Sequence, residues 1–165
     1  MINVEAVWWK VEILTGYQLV SAELQVRGRF VQALNDPEPY ASVRNISTTP
    51  LIPGAPRLQG IAEGVLNRPS FGAARTTDAE PPAPDEGMME MTRRYLYFEG
   101  ANFTVKGSVE FPVAADPKLH REMLFKSKFF PVHDASVAVV GAEMAPLQWP
   151  KCYVNRDVLV GLFLG

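Results

Sequence analysis

The sequence predicts a mainly β protein built from two related small antiparallel β-barrel or β-sheet repeats, with little helix. Three observations predict this. Runs of β-branched and aromatic residues alternate with polar ones in both halves. A Pro/Ala/acidic stretch without aromatic residues separates them. Similar features then recur in the same order on either side of that stretch. The expected organisation is a first β repeat over 1–71, a disordered linker over 72–92 and a second β repeat over 93–165.

In the first half, Val7, Trp9, Val11 and Ile13 alternate with other residues, as do Val20, Ala22, Leu24 and Val26. This spacing places each set on one face of a strand. Thr15-Gly16 lies between the two runs, and glycine's access to positive φ suits a tight hairpin there. After Arg27-Gly28-Arg29 and the segment Phe30–Leu34, the cluster Asn35-Asp-Pro-Glu-Pro39 breaks the chain. Tyr40–Ile46 reads as a further short strand, and Pro50, Pro53, Gly54 and Pro56 mark a loop before Leu58–Leu66. The stretch between Gly72 and Arg93 has too little apolar surface to offset its own ordering entropy. Pro81, Pro82 and Pro84 are expected to stiffen an exposed linker, with a partner-binding loop as the functional alternative.

Strand character returns with Tyr95–Phe98, a turn over Glu99–Asn102, and Phe103–Phe111, in which Phe103, Val105, Val109 and Phe111 share a face. Pro117–Phe125 is the best helix candidate, with Asp116 as N-cap and Pro117 at the first helical position. Phe129–Ser136, Val137–Val140 and Cys152–Leu164 complete the second half; Val158, Val160, Leu162 and Leu164 share one face of the last segment.

Alignment of the halves pairs Thr15–Ser21 with Gly100–Gly107, and Tyr40–Ser47 with Phe129–Ser136. The sharpest match is Leu66-Asn67-Arg68 with Val154-Asn155-Arg156. Leu66 lies 23 positions after Val43, and Val154 lies 22 after Val132. Two duplicated strand-and-turn units, each too small to bury a large core alone, explain that agreement; two β-rich segments of similar composition are the alternative.

Val11–Leu24 resembles the opening strands of the Sm-like, SH3-like small β-barrels: apolar alternation, a turn glycine, and a small residue five positions later. Val154-Asn-Arg-Asp-Val-Leu-Val-Gly-Leu162 is similar to the closing strands of that family, with apolar residues at steps 0, 5 and 8. The resemblance covers two segments and implies a small barrel fold. It also implies RNA contact at the closing turn, where the family places a glycine after a basic residue and this chain has Asn155 and Arg156. The apolar-Asn-Arg-Asp ending also resembles that of bacterial barrel proteins, a likeness that implies no activity.

Composition narrows the function classes. With 16 Lys+Arg, 18 Asp+Glu and a formal net charge of −2, there is no basic excess for phosphate neutralisation, so nucleic acid is disfavoured as a partner. Met1–Leu19 carries Glu5, Lys10 and Glu12, which argues against a signal peptide or membrane span and for a cytoplasmic location. The single cysteine, Cys152, has no disulfide partner and is expected to be a buried small apolar side chain.

The two histidines, His120 and His133, have no Cys or His at metal-ligand spacing and are expected at surface or turn positions. His133-Asp134 with Ser47 or Ser136 lacks a Gly-x-Ser-x-Gly turn. Glu63, Glu110, Glu122 and Glu143 have no spacing that pairs two of them, and Gly100–Gly107 has no phosphate-loop pattern. No cofactor, metal or catalytic residue is expected. Asn45-Ile-Ser47 and Asn102-Phe-Thr104 match the glycosylation pattern by chance.

The candidate interaction residues are Trp8, Trp9, Asn67, Arg68, Asn155 and Arg156. Strand alternation sends Trp8 and Trp9 to opposite faces, so one of them is available to an interface. The recurring Asn-Arg pairs suit turn capping or an inter-repeat salt bridge better than ligand contact. The leading expectation is a non-enzymatic β-barrel module that self-associates or binds another protein. Binding of RNA or a small ligand, and an enzyme of unrecognised type, are the alternatives.

Overall fold

A computed structural model describes residues 5–83 and 86–165. Pro84, expected within the stiff centre of the linker, lies outside the described residues. The chain divides into two compact units, Met1–Ala79 and Glu80–Gly165.

The first unit contains β1 (Val7–Leu14), β2 (Gln18–Val26), α1 (Phe30–Leu34), β3 (Tyr40–Pro50), β4 (Ile61–Asn67) and β5 (Ala73–Thr76). Successive antiparallel pairings join β1 to β4, and β5 returns to the free side of β1, giving the order β5-β1-β2-β3-β4. The second unit contains β6 (Met91–Gly100), β7 (Phe103–Pro112), α2 (His120–Leu124), β8 (Phe129–Val139), β9 (Leu147–Asn155) and β10 (Leu159–Leu164). Its order is β10-β6-β7-β8-β9, with β10 returning to β6. In both units a short helix joins the second and third strands, and a 3-10 turn joins the fourth and fifth.

Of the two expected forms, barrel or sheet, the strands adopt an antiparallel sheet that is not closed into a barrel. Within a unit the last strand pairs with the first but not with the fourth, so the hydrogen-bonded circuit stays open among the described residues.

The expected linker is ordered at its start. Ala73 and Ala74 are fully buried in β5, opposite Leu14 and Ile13. Two small side chains suffice there because the pairing strand supplies the bulk. Lys10 continues the contact, its carbonyl accepting from the Thr77 amide and its amide donating to Asp78. At its other end the expected linker gives way to β6 at Met91.

The β1–β2 hairpin closes through Thr15, whose amide and hydroxyl both donate to the Gln18 carbonyl. Gly16 does not take the positive φ expected of it. Asp116 caps as expected, accepting from the Lys118 amide, but only a 3-10 turn at Pro117–Leu119 and the five residues of α2 follow.

Inward residues of alternating strands build each core. Ile13, Val20, Leu24, Phe30 and Phe71 are fully buried in the first unit. In the second, the Phe98 ring lies 5.9 Å from Phe103 and 6.0 Å from Phe130, and Val105 and Val137 are fully buried.

Both units bulge at a matching place, and the second has a further register shift between Leu159 and Gly161 of β10. Register slips between Ser21 and Glu23 of β2, and between Lys106 and Ser108 of β7. The facing strands carry the only described non-glycine residues with positive φ, Asn45 at 52° and Asp134 at 50°. Asn and Asp tolerate this conformation better than other side chains.

Candidate interaction site

Each Asn-Arg element ends a strand and starts the 3-10 turn leading to the last strand of its unit. Arg68 is 7 % exposed, and its Nε donates to the Ala33 carbonyl at 2.8 Å. Its Nη1 donates to the carbonyls of Glu38 and Tyr40. The guanidinium thus satisfies carbonyls at the end of α1 and at the entry to β3, where a helix terminus leaves acceptors open. The Arg156 side chain donates to the Phe125 carbonyl just after α2, and its Nε lies 3.5 Å from Asp157. The amide of Arg68 donates to Pro39 and that of Arg156 to Lys128, at 2.7 and 2.8 Å. Asn155 is buried and its side chain accepts from the Asp157 amide, whereas Asn67 is exposed with no side-chain cap. Arg68, Asn155 and Arg156 thus make side-chain bonds to the turns of their own units.

Trp8 and Trp9 are half-buried on opposite faces. The Arg44 guanidinium sits 4.5 Å from the centre of the Trp8 ring, and Trp9 stacks on Phe30 at 6.3 Å. Neither ring is fully presented to a partner.

Two concavities lie in the first unit. One of about 420 Å³ is lined by Lys10, Glu12, Ser21, Glu23, Asn45 and Ser47, with no histidine. Its carboxylates are engaged: Glu12 holds Arg75 in a bidentate pair, and Glu23 accepts from Asn45 and Arg44. The Asn45 amide, and then Arg44, hold the Glu23 carboxyl below its ordinary value. The other concavity, about 300 Å³, is lined by Gln25, Arg27, Asp36, Tyr40 and Arg68 among others, and its buried guanidinium is committed to three carbonyls.

His120 is buried rather than at the surface, stacked on Phe111 with ring centres 4.0 Å apart and interplanar angle 2°. Arg94 Nη1 lies 3.3 Å from its Nδ1. His133 is half-buried beside Glu110, 3.9 Å away. Burial lowers its pKa, with Glu110 opposing that only in part. Among the described residues no group of three His, Cys, Asp or Glu could hold a metal.

The most exposed apolar surface that the folds leave at strand edges was missed from the sequence. Among the described residues β10 pairs with β6 alone and β4 with β3 alone. Residues 159–164 of β10 read Leu-Val-Gly-Leu-Phe-Leu, without a charge; Val160 is 68 % and Phe163 59 % exposed. On β4, Val65 is 64 % and Ile61 39 % exposed. Edge strands usually carry lysine, proline, inward charge or a bulge to discourage pairing; β10 has no lysine, proline or charge, and its one such feature is the register shift between Leu159 and Gly161. Its lack of charge was the available signal, but its position at an edge depends on pairing with β6, 60 residues distant in sequence, for which no local signal exists.

No helix among the described residues is long and apolar enough to cross a membrane. No family model, curated protein or solved structure matches this chain.

Proposed function

We propose that the protein is a non-enzymatic β module, descended from one duplicated SH3- or Sm-like unit, that works by assembling with other protein chains through its strand edges. Duplication is supported by features that composition does not supply: the shared strand order, the paired bulges at Asn45 and Asp134, and the Asn-Arg turns. The single observation that carries the assembly reading is β10, an uncharged edge strand with Val160 and Phe163 exposed. Every second residue of such a strand directs its N–H and C=O away from the sheet, and adding another strand satisfies them while burying apolar surface.

Homo-oligomeric assembly in a reducing, cytoplasmic setting suits the lone buried Cys152. RNA binding draws less support, because Arg68 is buried and donates to three carbonyls of its own unit, and Arg156 donates to Phe125 and lies beside the Asp157 carboxylate. Light scattering from the purified chain at micromolar concentration tests the proposal. The expected result is a mass that is a multiple of 18.3 kDa and falls on dilution; a constant 18.3 kDa species overturns homo-oligomeric assembly.

A further inference from the structure

Independently of assembly, we propose that the outer face of β10, β6 and β7 binds a nucleoside monophosphate, its base on the rings of Phe163, Tyr97 and Tyr95 and its phosphate at Lys106. Side chains of directly paired residues share a face, so register carries a row of side chains from strand to strand. One row runs from Phe163 on β10 to Tyr97 on β6, Lys106 on β7, Ser136 on β8 and Gln148 on β9. The next runs from Tyr95 to Ser108, His133 and Lys151. Leu96 and Phe98, which alternate with Tyr95 and Tyr97 along β6, are fully buried, so both rows face outward.

The same register picks out the equivalent positions of the first unit, and there the face is built differently. Phe163 and Tyr97 stand where the first unit has Arg75 and Glu12, Lys106 where it has Ser21, and Tyr95 where it has Lys10. Arg75 and Glu12 neutralise each other in their bidentate pair. Tyr97 and Phe163 instead meet with ring centres 6.1 Å apart, and Phe163 stays 59 % and Tyr95 53 % exposed. The first unit reaches the same strand order without rings at these positions, so the fold does not require them. A flat base laid on such rings buries both surfaces.

The polar end of the row is a set of donors. Lys106 is exposed, its Nζ lies 5.6 Å from the centre of the Tyr97 ring, and it forms no ion pair among the described residues. Ser136 Oγ accepts from Gln148 Nε2 at 3.2 Å, which leaves its own proton for another acceptor, and Ser108 adds a hydroxyl in the next row. An ammonium and two hydroxyls suit a phosphate, whose several oxygens only accept. Two strand spacings, about 10 Å, separate Phe163 from Lys106, the span of base, sugar and phosphate in sequence. Glu110 and Asp134 are held by Arg93, while Glu99 lies two residues beyond Tyr97 and beside Gly161 of β10. Its charge repels phosphate from the aromatic end and so sets the direction of the ligand. Lys106 is the sole unpaired cation on this face of the three strands among the described residues, which matches one phosphate and gives no track for a polynucleotide.

Titration calorimetry of the full chain with adenosine monophosphate, adenosine and inorganic phosphate tests this. The nucleotide should bind about ten-fold more tightly than either fragment. Lys106→Ala should weaken the nucleotide about ten-fold and leave adenosine unchanged. Phe163→Ala should weaken nucleotide and nucleoside alike, by about ten-fold. Circular dichroism checks that each variant folds, and Tyr95→Ala carries the same prediction if the change on β10 does not. Lys10→Ala, at the position equivalent to Tyr95, should leave binding unchanged. No heat from the nucleotide at millimolar concentration, or inorganic phosphate binding as tightly as the nucleotide, overturns the proposal. So does an affinity that the Lys106 and ring variants leave intact, or one that falls only with Lys10→Ala, which would put the site in the first unit. An oligoadenylate that binds more tightly per nucleotide than the monophosphate would make a polymer the occupant and overturn the assignment to a single nucleotide.

Discussion

Arg68 and Arg156 stand at matching points of the two units and work in different surroundings. Arg68 is buried and donates to three carbonyls. Arg156 keeps 38 % of its side chain exposed, donates to one carbonyl through that side chain and lies beside Asp157. One backbone solution therefore has two energetic weights, because a bond made out of water leaves a larger penalty when broken. The bulges differ too: Ala22 lies at the slip in β2, and Gly107 lies at the slip in β7. A Cβ on Gly107 would come 2.7 Å from the His133 carbonyl and 2.6 Å from Val132 Cγ1. The first unit has room for a methyl group at its bulge, and the second does not.

The largest expected effect breaks the arginine comparison. Arg68→Ala should cost about 3 kcal/mol, since it strands buried carbonyls, while Arg156→Ala should cost about 1 kcal/mol at its wetter site. Urea unfolding of both variants measures this, and equal losses would mean that burial does not set the weight of the turn. Next comes the bulge. Gly107→Ala should destabilise by about 2 kcal/mol through forced displacement of β8. Ala22→Gly should cost about 1 kcal/mol through added unfolded-state freedom. A neutral Gly107→Ala would show that the second bulge has the same room as the first.

The smallest effects distinguish the units by pH. The Glu23 pKa is lowered in the fold, so its contribution is present above its unfolded value and lost as pH falls through the folded one. His133 is also lowered, by burial, so the folded chain binds protons less readily than the unfolded chain near its ordinary value of 6.5. Its contribution is complete above that value and declines as pH falls below it. Stability measured from about pH 7 down to about pH 3 should therefore lose a His133 part first and a Glu23 part later. His133→Gln should flatten only the upper region and Glu23→Gln only the lower. A slope between about pH 7 and 5 that His133→Gln leaves unchanged would remove burial as the cause.

Local patterns in the sequence located most strands because a half-buried strand writes period two into its side chains: Val11, Ile13, Val20, Leu24, Val105 and Val109 all point inward. The Asn-Arg echo was legible as a pair of identical residues recurring at spacings of 23 and 22 from matching valines. α1 was not, because Phe30–Leu34 spans barely more than one turn and shows no helical period. β5 was hidden because Ala73 and Ala74 are buried by a partner strand about 60 residues away, and small side chains carry no local signal of that. His120 was misplaced because stacking on Phe111 is a tertiary contact between α2 and β7. Of the candidate site, the tryptophans and Asn-Arg pairs were visible as residue types, but the contacts that Trp8, Trp9, Arg68, Asn155 and Arg156 make within the fold depend on tertiary neighbours. The exposed edges were not recognised, since an edge is defined by the neighbour a strand lacks.

Amide hydrogen exchange, followed by mass spectrometry on the unmodified chain at two concentrations, tests strand-edge assembly most directly. Outward amides of an unpaired edge exchange freely, whereas those in a new strand pairing are protected. The prediction is that the peptide covering Leu159–Leu164 gains protection as concentration rises, while the buried hairpin of β1 and β2 does not change. Exchange in that edge peptide that is independent of concentration would contradict the assembly of this chain through β10.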